Sequence, residues 1–189
     1  MKTIIGIIFL VLVVNGCGHS KDATSSSNHQ PTPTENTTST NTTTSNETDD
    51  VEVELSKIEW LDFETAIDRN KKKKKLIFID IYTNWCGWCK KMDATTFQNP
   101  EVIKYMKTYF YAVKMNAESK DPIAYKDKLY EWKSYGRAGY NTLAVSLLDS
   151  QMSFPSFVVL SKRETKLGKI IGYKDVNGMM AELKKYVGK

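Results

Sequence analysis

The stretch from Leu76 to Lys90 constrains this chain most: an apolar run of strand length stops, and a Cys-x-x-Cys opens a helix. Leu76-Ile77-Phe78-Ile79-Asp80-Ile81-Tyr82 is short and rich in isoleucine and aromatics, which predicts a buried central strand with one acid inside it. Trp85-Cys86-Gly87-Trp88-Cys89-Lys90 follows at once. With two residues between them, both sulfurs reach bonding distance within one turn, so a disulfide there can close and open locally. The first sulfur falls at a helix N-terminus, where free N–H groups and the helix dipole favour a thiolate. That spacing makes Cys86 the attacking nucleophile, with Cys89, one turn further in and more shielded, resolving the mixed disulfide. Lys90 and Lys91, both solvated, add a favourable field.

Zinc also uses Cys-x-x-Cys, but a tetrahedral structural site needs two more Cys or His ligands. The third cysteine is Cys17, and the two histidines, His19 and His29, lie in a polar N-terminal segment. No metal and no other cofactor is therefore expected. A static structural disulfide is the other alternative, disfavoured because the strand-to-helix junction is short and exposed.

The flanking sequence alternates helices and strands. Asp62 is an N-cap for a helix carrying Phe63, Ala66 and Ile67, and Lys71–Lys75 reads as its solvated, dipole-compensating end. Asn99-Pro100-Glu101 starts another, with Val102, Ile103, Met106 and Tyr109 or Phe110 inward, and Tyr111–Met115 follows as a strand. Residues 121–148 are expected to be largely helical, with Tyr125, Leu129 and Trp132 spaced for packing and a break at Gly136–Gly139. Phe157–Leu160 and Leu167–Ile171 form a hairpin, and Val176–Val187 closes the chain as an amphipathic helix with Met179, Met180, Leu183 and Tyr186. This order implies an α/β fold, a three-layer α/β/α sandwich with a mixed central sheet.

At four separate places the region 57–188 resembles the thioredoxin superfamily. Asp80 stands where those proteins keep a buried acid before the nucleophile, and the resemblance implies that it relays a proton to and from Cys89. Burial in an apolar strand should raise its pKa, which suits that task. Trp85 sits where an aromatic often precedes the first cysteine. Phe154-Pro155 matches the family's cis-proline loop, which packs on the active-site disulfide and pairs with substrate backbone. Gly172 matches a glycine of the substrate groove. The resemblance thus implies a substrate-binding set of Trp85, Gly87, Trp88, Phe154 and Pro155. Departures are Gly87-Trp88 in place of Gly-Pro, Tyr82 in place of a tryptophan, and a longer segment over 117–150. Lys90-Lys91-Met92, Thr96-Phe97 and Pro100-Glu101-Val102 bring the chain nearer to exported thioredoxin-like proteins of the Bacteroidetes type. They also bring it nearer to the C-terminal domain of the transmembrane disulfide interchange reductase.

The N-terminus has a different character. Met1-Lys2-Thr3 precedes an apolar run from Ile4 to Val14, too short for a bilayer that needs roughly 20 residues but right for a signal peptide over 1–16. The run ends in Val14-Asn15-Gly16-Cys17, which resembles a bacterial lipoprotein signal with Cys17 as the lipidated residue. The alternative is a secretory signal followed by a chance cysteine. Residues 18–50 are Ser, Thr, Asn and acids with Ala23 as the sole aliphatic residue, too polar to fold, so 17–50 is expected to be a lipidated, disordered tether or plain filler. The remainder, 51–189, is then a thioredoxin-like domain. Gly18 lacks the aspartate associated with inner-membrane retention, which favours the outer membrane, at the periplasmic face of the cell envelope.

These readings converge on a thiol–disulfide oxidoreductase outside the cytoplasm. Reduction is preferred, and oxidase, isomerase or a non-catalytic thioredoxin-fold binding module are the alternatives. The expected partners are disulfide-containing exported proteins, a membrane electron donor of the disulfide-interchange type, and the membrane itself through the lipid. The net charge of +5 comes from the lysine run and scattered lysines, not a basic face interleaved with aromatics, so no nucleic-acid partner is expected.

Overall fold

The structure, a computed structural model, describes residues 56–188. The signal peptide, Cys17, the tether and Val51–Leu55 lie outside the described residues. The elements run β1 (Trp60–Leu61), α1 (Phe63–Lys72), β2 (Leu76–Tyr82), α2 (Gly87–Ala94), a 3-10 turn (Thr96–Gln98), α3 (Pro100–Tyr109) and β3 (Phe110–Asn116). Two hairpins follow, β4 (Ile123–Tyr125) with β5 (Lys128–Tyr130) and β6 (Trp132–Tyr135) with β7 (Ala138–Asn141). The chain ends with α4 (Thr142–Leu147), β8 (Ser156–Leu160), β9 (Lys166–Ile171) and α5 (Val176–Lys184).

The apolar run becomes the middle strand of a five-stranded sheet ordered β1-β3-β2-β8-β9. β3 runs parallel to both β1 and β2, while β8 is antiparallel to β2 and to β9, giving the mixed sheet expected. A strand alternates its side chains between faces, and both faces are covered here. Ile77, Ile79 and Ile81 pack with Phe63, Ala66 and Ile67 of α1 and Leu143 and Leu147 of α4. Phe78 packs on the opposite side with Met92 of α2, Val102 and Met106 of α3, and Met179 and Leu183 of α5. Fully burying each such side chain contributes about 1.5–3 kcal/mol, so the three layers are held mainly by β2 and its two apolar faces.

Local signals place the helices. Asp62 accepts the Thr65 N–H at 2.7 Å, Asn99 accepts those of Glu101 and Val102 with Pro100 at the first helical turn, and Asp175 accepts that of Gly178 at 2.7 Å. The lysine run is only partly the solvated end expected. Lys71 and Lys72 finish α1, but Lys75 turns inward, donating to the Lys107 carbonyl at 2.6 Å with its ammonium over the Tyr111 ring. Phe110, not Tyr109, is the buried residue after α3, because the chain passes directly into β3 there.

The largest departure is the segment 121–141, which is two hairpins instead of helix; only Thr142–Leu147 is helical. Lys126 and Asp127 take φ of 50° and 58° between Tyr125 and Lys128, a two-residue turn whose twist suits paired strands. Gly136 takes φ 69° at the start of the second turn. Leu129 consequently stands 56% exposed instead of packing inward. Gly139 opposes Ser134 across β6 and β7, and a Cβ there would fall 1.8 Å from the Trp132 ring, so only glycine lets the indole lie across the strand.

Candidate active site

β2 ends at Tyr82, and a tight turn, with the Cys86 N–H donating to the Thr83 carbonyl at 3.1 Å, delivers Cys86 to the N-cap of α2. Its sulfur takes the place of a capping oxygen and accepts the Cys89 N–H at 3.1 Å. Cys86 and Cys89 form a disulfide, S–S 2.01 Å with Cα atoms 5.3 Å apart. The expected difference in shielding is not seen: Cys86 is 4% exposed and Cys89 3%. The cause is the cap itself, which turns the first sulfur inward onto the helix; the exposed parts of the junction are Asn84, Trp85, Gly87 and Trp88. Exposure therefore does not argue against a static disulfide, whereas placement at a helix N-terminus does.

Asp80 lies on the α2 side of β2, opposite Lys114 of β3 in the parallel register. The Lys114 ammonium is 2.7 Å from Asp80 Oδ2 and also donates to Asp93 of α2. Burial pushes the Asp80 carboxyl up to about 6, with Lys114 pulling it down and the Asp93 charge pushing it up. For Lys114, burial disfavours the ammonium, but Asp80 and Asp93 outweigh it and its pKa is raised. Sequence reading found the acid and its raised pKa but missed this lysine. The available signal was parity: Lys114 alternates with Val113 and Met115, so it must face the layer opposite theirs.

Aromatic side chains flank the disulfide. Trp85 donates from Nε1 to Glu118 Oε1 at 3.0 Å and meets Phe154 edge to face at 5.8 Å. Tyr140 of the second hairpin reaches Phe154 at 6.1 Å, which joins the longer 117–150 segment to this rim. Trp88 lies against Tyr173 at 5.1 Å, with the Lys91 ammonium over both rings. The Phe154–Pro155 peptide is cis, as the resemblance implied. Pro155 offers its carbonyl to the Gly172 N–H at 2.8 Å, and Gly172 needs to be glycine because φ is 78° there. The ring contacts thus join Trp85 to Phe154 and Trp88 to Tyr173; Gly87 has open space around its Cα. Glu118, Tyr140 and Tyr173 are rim residues that sequence reading did not name. Among the described residues no group of three or more His, Cys, Asp or Glu could hold a metal ion.

A Cys-x-x-Cys closed to a disulfide at a strand-to-helix junction of this sheet defines a class, the thioredoxin-like proteins. More particularly, the chain belongs to the Thioredox_DsbH family, described as "Protein of unknown function, DUF255", whose profile matches residues 51–183. Among solved structures it is similar to a DsbH oxidoreductase (TM-score 0.50, 14% identity), covering 78% of this chain and 93% of that one. It is also similar to a thioredoxin from Thermus thermophilus (TM-score 0.53, 12% identity, covering 70% and 88%). At these identities the likeness is one of fold. Human spermatogenesis-associated protein 20 is 30% identical over 74 residues, 39% of this chain but 9% of that protein, so the chain matches only a small part of it.

Proposed function

We propose that this protein is an exported disulfide reductase that passes an electron pair from the Cys86/Cys89 dithiol to disulfides of other exported proteins. Residues 1–16 act as signal peptide, Cys17 carries the lipid, 17–50 is the tether, and 51–189 is the working domain at the periplasmic face of the cell envelope. Among the described residues no helix is long and apolar enough to cross a membrane. The observation that carries the reading is the Cys86–Cys89 disulfide capping α2, with the raised-pKa acid Asp80 on the sheet face that α2 covers.

The chemistry follows from those positions. The Cys86 thiolate, stabilised by the helix N-terminus, attacks one sulfur of a substrate disulfide; a mixed disulfide forms and one substrate thiolate leaves. Asp80 takes the proton from the Cys89 thiol, and the Cys89 thiolate attacks the Cys86 sulfur. The intramolecular disulfide closes and the second substrate thiolate leaves. The protein loses two electrons, and the two substrate thiolates become thiols by taking one proton from Asp80, the one Cys89 gave up, and one from water, which had received the Cys86 proton when that thiol ionised. Trp85, Gly87, Trp88, Phe154 and Pro155 receive the substrate chain. A membrane donor of the disulfide-interchange type restores the dithiol, which an oxidising compartment would not do unaided. Reduction is preferred because the thioredoxin-like acid Asp80 is retained and a membrane tether would hold the domain near an electron donor; the acid itself serves exchange in either direction.

Cys89→Ala tests this directly. The variant should accumulate mixed disulfides through Cys86 that dithiothreitol releases and that Cys86→Ser abolishes. Recovery of no covalent partner would refute the exchange role.

A further inference from the structure

Two carboxylates share the one Lys114 ammonium. Asp80 and Asp93 both accept from Lys114 Nζ, and the side chains step outward from 2% exposed at Asp80 through 20% at Lys114 to 41% at Asp93. The rings of Trp60, Tyr82 and Phe97 surround the ammonium at 4.9, 5.2 and 5.8 Å, so it is held between the two acids instead of swinging to either. Asp80 Oδ1 has no hydrogen-bond partner among the described residues. One positive charge cannot compensate two negative ones, and the buried member suffers most from the shortfall.

Among the described residues, the charges that act on Asp80 are those of Lys114 and Asp93. β3 contributes Lys114, and α2 contributes Asp93 together with Cys86 and Cys89. β2 contributes Tyr82, β8 places Phe157 opposite Asp80, and β1 and the 3-10 turn bring Trp60 and Phe97.

We propose that Asp93 is a positioning residue for the Asp80 acid: it draws part of the Lys114 ammonium onto α2 and adds its own negative charge, leaving Asp80 able to hold a proton. This rests on the reading of Asp80 as the group that takes the Cys89 proton. It adds that the helix bearing the cysteines also sets how strongly the acid beside them binds its proton. The Asp93 charge acts on Asp80 in that sense, raising its pKa, while Lys114 opposes it. Asp93→Asn removes a negative charge and releases the ammonium to Asp80, so both consequences push the Asp80 titration to lower pH.

The experiment is a carbon-13 carboxyl titration of the full chain in its disulfide form, with the Asp80 signal assigned by Asp80→Asn. Asp93→Asn should lower the Asp80 midpoint by about one pH unit, and Asp93→Glu should return it to the wild-type value. Asp93 is half-exposed, and a thermal melt checks that the variant folds. A merely structural role for Asp93 would change the melt without moving the midpoint downward. An unchanged or raised midpoint overturns the proposal. The titration needs no turnover. A chain that reduces disulfides while the Asp93→Asn midpoint stays put refutes the positioning alone. A shifted midpoint in a chain that exchanges no disulfide upholds it and refutes the reductase reading.

Discussion

Asp80 and Lys114 meet in register across two parallel strands, 2.7 Å apart, the carboxylate almost wholly buried and the ammonium at the edge of the core. An ion pair so placed does not repay its desolvation, because the lysine is shared and one carboxylate oxygen has no partner among the described residues. The acid that the proposed mechanism uses as its proton carrier is thus held at a cost to the fold.

That cost is measurable as a pH dependence of stability. Asp80 binds its proton more tightly when folded, at about 6 against an ordinary 3.8, so the folded state holds more protons than the unfolded one between those values. Stability therefore falls as pH rises from about 4 to about 6 and is level above, as far as this group is concerned. Asp80→Asn should be more stable than wild type at about pH 8 by on the order of 3 kcal/mol, with the gap closing towards pH 4. Urea unfolding across that range checks it; a difference independent of pH would contradict it.

Trp85 is 65% exposed yet fixed by Glu118 and Phe154, an arrangement that offers a flat apolar surface at little entropic cost. Trp85→Ala should raise KM for a protein disulfide such as insulin about tenfold, the loss of roughly 1.4 kcal/mol, while a small-molecule disulfide is affected much less. Steady-state kinetics on the two substrates separates them. An equal effect on both would place Trp85 in the chemistry instead of in docking.

Much of this was legible in the residues because the signals were local and agreed with one another. Leu76–Tyr82, the caps Asp62 and Asn99, and the helix carrying Met179 and Leu183 all appear where pattern and capping put them. β1 escaped because two residues carry no periodicity. The hairpins escaped for a different reason: Tyr125, Leu129 and Trp132 mimic helical spacing, and Lys126-Asp127 lacks the glycine that usually marks such a turn. Lys114 escaped because its partner depends on the β2/β3 register, which no local feature reveals. The N-terminal expectations, Cys17 included, fall outside the described residues.

A pair of substitutions separates the two kinds of apolar residue. Phe157 is fully buried, stacked on Phe78 at 5.3 Å and edge to face with Phe97 at 5.9 Å, so Phe157→Ala should cost about 3–5 kcal/mol. Leu129→Ser, on the exposed hairpin, should stay within about 0.5 kcal/mol of wild type. Denaturant melts decide, and a large loss at Leu129 would mean that this residue is packed after all.

The direction of electron flow is set by the potential of the Cys86–Cys89 couple. Equilibration with glutathione should give a value below about −200 mV for a reductase. A value well above that would reassign the protein to oxidation or isomerisation.

The most direct test of the account is insulin reduction driven by dithiothreitol, comparing wild type with Cys86→Ser. Attack by the Cys86 sulfur predicts near-complete loss of the protein-dependent rate in the variant, with its fold intact by circular dichroism. A Cys86→Ser protein that reduces insulin as fast as wild type, or a wild type that adds nothing to dithiothreitol alone, would contradict it.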